Sequence, residues 1–128
     1  MAVAYGLAHG RTTPPASFFW LALLYPIWGL AQQFVLCPLL YQNLNTLKLG
    51  RILATAASAV LFGLAHAPDW TLCGLTAASA VIWVRVYDRW PNLWCQGVSH
   101  GLLGALAYSY ILGRDPWAEL VTNLTPLN

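Results

Sequence analysis

Ser17 to Leu44 reads SFFWLALLYPIWGLAQQFVLCPLLYQNL, 28 residues without one charged side chain. A helix needs roughly 20 apolar residues to cross a bilayer, so this stretch predicts a membrane helix that tilts, kinks or protrudes. Ser17 stands where an N-cap would, and Pro26 and Pro38 are the expected kinks. A polar turn of Asn43, Asn45, Lys48 and Arg51 follows. Beyond it three further apolar runs predict helices over 52–66, 71–86 and 93–112, separated by Pro68 and by Pro91-Asn92. The reading is an all-α, polytopic membrane helix bundle of about four transmembrane helices, in one domain over 1–128. A stub and loop over 1–15 precede it, and a tail over 113–128, with two prolines and little periodicity, is expected to lie along the surface.

Composition points the same way. Of 128 residues, 59% are hydrophobic and 8% charged, where a soluble domain carries about 25% charged residues. A soluble fold this small would expose more apolar surface than so few charges could keep dissolved. The charged residues punctuate the apolar runs and do not interrupt them. Net charge is +2, and the aromatic residues lie in apolar runs, not between lysines, which excludes a nucleic-acid footprint. Cys37, Cys73 and Cys95 are too far apart for a CxxC pair and read as buried free thiols. The first strongly apolar run contains a glutamine pair and lacks a small-x-small exit site, so it is expected to stay in the membrane. Lys48, Arg51, Arg85 and Arg89 fall on one side against Arg11 and Arg114 on the other, which puts both termini outside the cytoplasm. Tyr87, Trp90 and Trp94 near one boundary and Trp70 near the other fit interfacial belts.

Helices 52–66 and 71–86 are short for a crossing. Their corner, Ala67 to Trp70, is either sunk below the lipid surface, with His66 and Asp69 at the wall of a pocket, or an ordinary hairpin in a thinned membrane. Polar side chains inside apolar runs cost free energy unless they find partners, which makes Gln32, Gln33, His66, Ser99 and His100 the informative residues. Gln33 and Cys37, four apart, share a helix face, and Gln32 points about 100° away. Gly97, Gly101 and Gly104 flank His100 at helical spacing and allow close helix approach. The expected geometry brings His66 and His100 together opposite the glutamine pair.

The order of these motifs resembles the CPBP family, the CAAX-protease and bacteriocin-processing (Abi) intramembrane proteases. The residues that carry the resemblance are Gln32-Gln33-Phe-Val-Leu-Cys37, Phe62-Gly-Leu-Ala-His66 and His100-Gly-Leu-Leu-Gly104, where the family reads EExxxR, FxxxH and HxxxN. The similarity runs from about Leu21 to Leu112. In the family the first Glu and the two His activate a water, and the Asn helps to hold the oxyanion of a peptide being cut within the membrane. By resemblance, Gln32 and Gln33 occupy the two Glu positions, Cys37 the Arg, His66 and His100 the two His, and Gly104 the Asn. A glutamine amide cannot take a proton at neutral pH, and glycine offers no oxyanion donor.

Two functions follow as expectations. The first is a non-catalytic relative in a bacterial inner membrane, an accessory or binding subunit of a larger membrane complex, with Gln33, Phe62 and Gly104 lining its binding site and no cofactor. The second is an active intramembrane endopeptidase acting on a membrane-embedded or prenylated protein. Its catalytic residues would be His66 and His100, with Cys37 or a water held by Gln32 attacking. A minor third, haem or metal ligation by the two His, lacks the three protein ligands that zinc sites use.

Overall fold

The computed structural model describes residues 1–11 and 17–124, and the described residues are all-helical. Six helices follow in order: α1 (Ala2–Ala8), α2 (Phe18–Thr46), α3 (Arg51–Leu64), α4 (Trp70–Arg89), α5 (Leu93–Leu106, continuing through Ala107–Leu112) and α6 (Pro116–Leu124). They form two compact units, Leu30–Gly97 and the pair Met1–Gly29 with Val98–Asn128.

In the Leu30–Gly97 unit, α2 does not break at Pro38. Proline has no N–H to donate and its ring crowds the carbonyl four residues back. The helix widens to a π-helical stretch over Val35–Gln42, which accepts that geometry. The Asn43 amide then donates to the carbonyl of Leu39 at 2.7 Å. Pro26, which belongs to the other unit, is carried inside regular α-helix. The α3 face buried in the unit is made of Ala54, Thr55, Ser58, Ala59, Phe62 and Gly63, mostly small residues that bring backbones close. A Cβ on Gly63 would stand 2.8 Å from the carbonyl oxygen of Cys73 and from the Ala77 methyl on α4. Leu36, Cys37, Trp83, Val84 and Tyr87 complete the core. At one end of the unit Asp88 accepts from Tyr41 at 2.8 Å and pairs with Arg51 at 3.3 Å, joining the ends of α2, α3 and α4.

In the other unit, Arg11 donates to the carbonyls of Tyr110 and Ile111 at the C-terminal end of α5. Those carbonyls have no partner within the helix, and a cation suits that end of the dipole. Gly113 follows in the left-handed region at φ 66°, where glycine is at ease, and a Cβ there would also strike the Arg11 guanidinium. Gly6 packs α1 onto the Tyr110 ring, and Gly101 lets α5 reach the α2 backbone at Tyr25 and Pro26.

Several expectations need correction. The stub expected before residue 10 is a helix, α1. The helix expected over 71–86 runs from Trp70 to Arg89, long enough to cross; Asp69 caps its start by accepting from Leu72 N at 2.9 Å, and Tyr87 to Arg89 extend its other end. The expected surface tail contains α6. Asp115 accepts from the amides of Trp117 and Ala118, with Pro116 in the first helical position, where its missing N–H costs nothing. The expected loop over 12–16 and the end of the tail, 125–128, lie outside the described residues. Cys95 is exposed, beside Trp94 in the first turn of α5. Tyr87 is in the core, its hydroxyl accepting from the Gln42 amide.

Two helices, Phe18–Thr46 and Trp70–Arg89, are long and apolar enough to cross a membrane, where four were expected. At 1.5 Å per residue α3 covers only about 21 Å, short of the ~30 Å hydrocarbon layer. In α5, Gln96, Ser99 and His100 interrupt the apolar run. The distribution of side chains is nevertheless inverted relative to a protein in water. Gln33, Ser58 and Gln96 are buried, while Ile52 is 81%, Phe19 75% and Ile27 70% exposed. Water would penalise that arrangement heavily, and lipid favours it.

Candidate functional site

The Leu30–Gly97 unit holds two polar clusters, both starting from the glutamine pair. Successive residues on α2 point to different sides, and each glutamine reaches its own set of partners.

Gln32 faces His66, which sits just past the end of α3, with the amide nitrogen 3.5 Å from the imidazole Nε2. The other ring nitrogen, Nδ1, is 2.9 Å from the carbonyl oxygen of Phe62. A carbonyl only accepts, so the ring proton is on Nδ1 and Nε2 presents its lone pair to the Gln32 amide. Thr76 of α4 lies 3.4 Å from Nδ1, its own hydroxyl hydrogen directed to Leu72 O at 2.8 Å. The Phe62 ring meets the imidazole edge to face at 5.3 Å. The spacing of Phe62 and His66 thus does two jobs: the backbone at 62 orients the ring of 66, and the side chain at 62 packs against it. None of the three hydrogen-bonding groups on His66 is a carboxylate.

Gln33 is fully buried, as is Cys37. The Cys37 thiol points at two carboxamide oxygens, Gln96 at 3.4 Å and Gln33 at 3.6 Å. Gln96 in turn donates to the carbonyl of Trp83 on α4 at 3.0 Å, so one neutral chain of contacts ties α2, α5 and α4 together. The hydrogen bonds of Cys37 go to these amides and not to His66. A thiol acting as nucleophile needs a base within reach, and two carboxamides supply none.

Sequence reasoning missed Gln96 and Thr76. Gln96 lies one turn into α5, close enough to Asn92 to read as part of the polar boundary. Thr76 satisfies itself by bonding back along its own helix, which leaves no trace in a hydropathy pattern.

His100 and Gly104 belong to the other unit. His100 is 7% exposed. A Cβ on Gly104 would meet only the Tyr25 ring, at an ordinary 3.4 Å, so packing does not demand glycine there. Tyr25 itself meets Tyr108 edge to face at 6.3 Å. Among the described residues no group of three His, Cys, Asp or Glu is arranged to hold a metal ion.

Residues 14–106 match the Rce1-like family, described as type II CAAX prenyl endopeptidase Rce1-like. The match covers most of the chain. The protein belongs to the Rce1-like family. All seven positions that carry the resemblance, Gln32, Gln33, Cys37, Phe62, His66, His100 and Gly104, fall within the matched residues. No curated protein and no solved structure matches the chain. As an Rce1-like protein with two helices apolar enough to span a bilayer, it is a membrane protein of CPBP type.

Proposed function

We propose that this protein is a non-catalytic Rce1-like relative, a multi-pass protein of a bacterial cytoplasmic membrane that serves as an accessory or binding subunit of a larger membrane complex. The observation that supports this reading best is the character of the two clusters around Gln32 and Gln33. The contacts described in each run between uncharged groups. The imidazole of His66 takes an amide donor on Nε2, a pairing that suits glutamine. A glutamate at position 32 would instead call for a proton on that nitrogen. Gln33 and Cys37 likewise form a neutral pair where the family pattern has Glu and Arg. Gln33, Phe62 and Gly104 are then binding residues, and no cofactor is called for.

The competing reading is an active endopeptidase of the kind the family description names, cutting a membrane-embedded or prenylated protein. In its favour stand the two retained histidines and the Nε2 lone pair of His66, the one base that the Gln32 cluster offers. On that reading His66 and His100 are essential, with Cys37 or a water held by Gln32 attacking.

Extraction in mild detergent, followed by a mass measurement of the particle and identification of its components, separates the two. The subunit reading expects a defined larger complex at fixed stoichiometry. A lone monomer overturns it and reopens the enzyme.

A further inference from the structure

The α4 residues Ile82, Arg85, Val86 and Arg89 recur at helical spacing and are all exposed. They form one outward face, and its first two turns inward from the helix end carry both apolar and cationic side chains. Ile82, at 65% exposure, marks this as a lipid-facing surface. Among the described residues neither arginine pairs with a carboxylate. Asp88, the acidic residue on the same helix, is committed to Arg51 at 3.3 Å and Tyr41 at 2.8 Å. Among the described residues no other carboxylate pairs with Arg85, Arg89 or Lys48.

Lys48 belongs to the same end of the unit, because it lies in the turn just before Arg51, which the Asp88 pair holds against α4. Arg89 stacks its guanidinium over Trp90 with 5.1 Å to the ring centroid. Trp90 is 62% and Trp94 74% exposed, the side chains that concentrate at headgroup level. Arg85 stands one turn, about 6 Å, inside the end of α4, within reach of the headgroups by extending its side chain toward the interface. Three cations beside exposed tryptophans, on a lipid-facing surface without their own counter-charge, require an anion from the surroundings. At that depth the available anions are lipid phosphates.

We propose that Arg85, Arg89 and Lys48 form a binding surface for the headgroup of an anionic phospholipid at the α4 end of the Leu30–Gly97 unit. The inference rests on the membrane setting and is independent of the choice between subunit and enzyme. Cations at a helix C-terminus also favour the helix dipole, but that effect acts equally in any lipid, which gives the test its discrimination.

The full-length protein is placed in nanodiscs of mixed phosphatidylglycerol and phosphatidylcholine, then released, and its retained lipids are measured by native mass spectrometry. The wild type is expected to retain phosphatidylglycerol in preference to phosphatidylcholine. At about fivefold per cation near the surface, reduced by salt screening, Arg85→Gln with Arg89→Gln lowers that preference about tenfold. Arg114→Gln, which opens an ion pair with Glu119 in the other unit, leaves it unchanged. Helicity by circular dichroism keeps each variant comparable, and Lys48→Gln alone, in a turn and not in a helix, gives a smaller loss if the double variant fails to fold. Equal retention of the two lipids by the wild type, or an unaltered preference in the variants, overturns the proposal. A loss of stability that is the same in both lipids, with no change in preference, assigns the arginines to the helix dipole and overturns it too.

Discussion

Gly97→Ala is expected to destabilise the protein by about 1–3 kcal/mol, although alanine is the better helix former. The reason is the backbone of α2: a Cβ at position 97 would lie 2.7 Å from Leu30 Cα and 2.9 Å from Leu30 N. Neither atom can rotate away, so the helices themselves must separate. Gly63→Ala should behave in the same way, since one of its obstructions is the Cys73 carbonyl at 2.8 Å. Gly74→Ala supplies the contrast. Nothing lies within 4 Å of its would-be Cβ, so the substitution gains helix propensity of up to about 1 kcal/mol. Titration of the three variants from mixed micelles into SDS, followed by helicity, reads the sign directly. A uniform gain across all three would mean that α2, α3, α4 and α5 do not pack as described.

Gln33→Glu is expected to destabilise the folded protein by about 1–3 kcal/mol, the cost of burying a less well-satisfied polar group in the core. Gln33 is fully buried midway along α2, and the nearby thiol of Cys37 and amide of Gln96 are neutral. The EExxxR pattern of the family puts Glu at this position and Arg four residues later, on the same helix face. Cys37→Arg alone should be destabilising as well, through both charge and volume. The double variant should lose less than the sum, with a favourable coupling of about 0.5–3 kcal/mol between adjacent charged groups. The same SDS titration measures the cycle. Strict additivity would show that positions 33 and 37 do not act as a pair.

What the sequence made legible was set by the strength of the local signals. The 28-residue uncharged run over 17–44 reads as a helix, and the stretch expected as a helix over 93–112 is an α-helix to Leu106 that continues as a π-helix. Two helix starts carry caps that a hydropathy pattern does not register. Asp69 and Asp115 each accept from backbone amides at the start of a helix, and both sit before residues that hydropathy alone had assigned to a turn or tail. At Pro38, where a kink is expected, the helix continues as a π-helical stretch over Val35–Gln42. Within the site, the face shared by Gln33 and Cys37 followed from helical spacing, and their contact follows it. The Gln32–His66 approach joins residues 34 apart in sequence; motif order suggested it, and only the packing of separate helices can produce it. Gln96 and Thr76 were hidden because a glutamine near a helix start and a self-bonded threonine resemble ordinary boundary and filler residues.

Whether the purified protein cuts peptide bonds decides between the non-catalytic subunit and the enzyme. Wild-type protein and His66→Ala, each reconstituted in liposomes with a membrane-embedded peptide ending in a prenylated CAAX sequence, can be followed for cleavage by mass spectrometry. Both are expected to leave the peptide intact while the wild type still enters its complex. Cleavage by the wild type that vanishes in His66→Ala, with the variant folded, would contradict the non-catalytic reading and make this protein an enzyme.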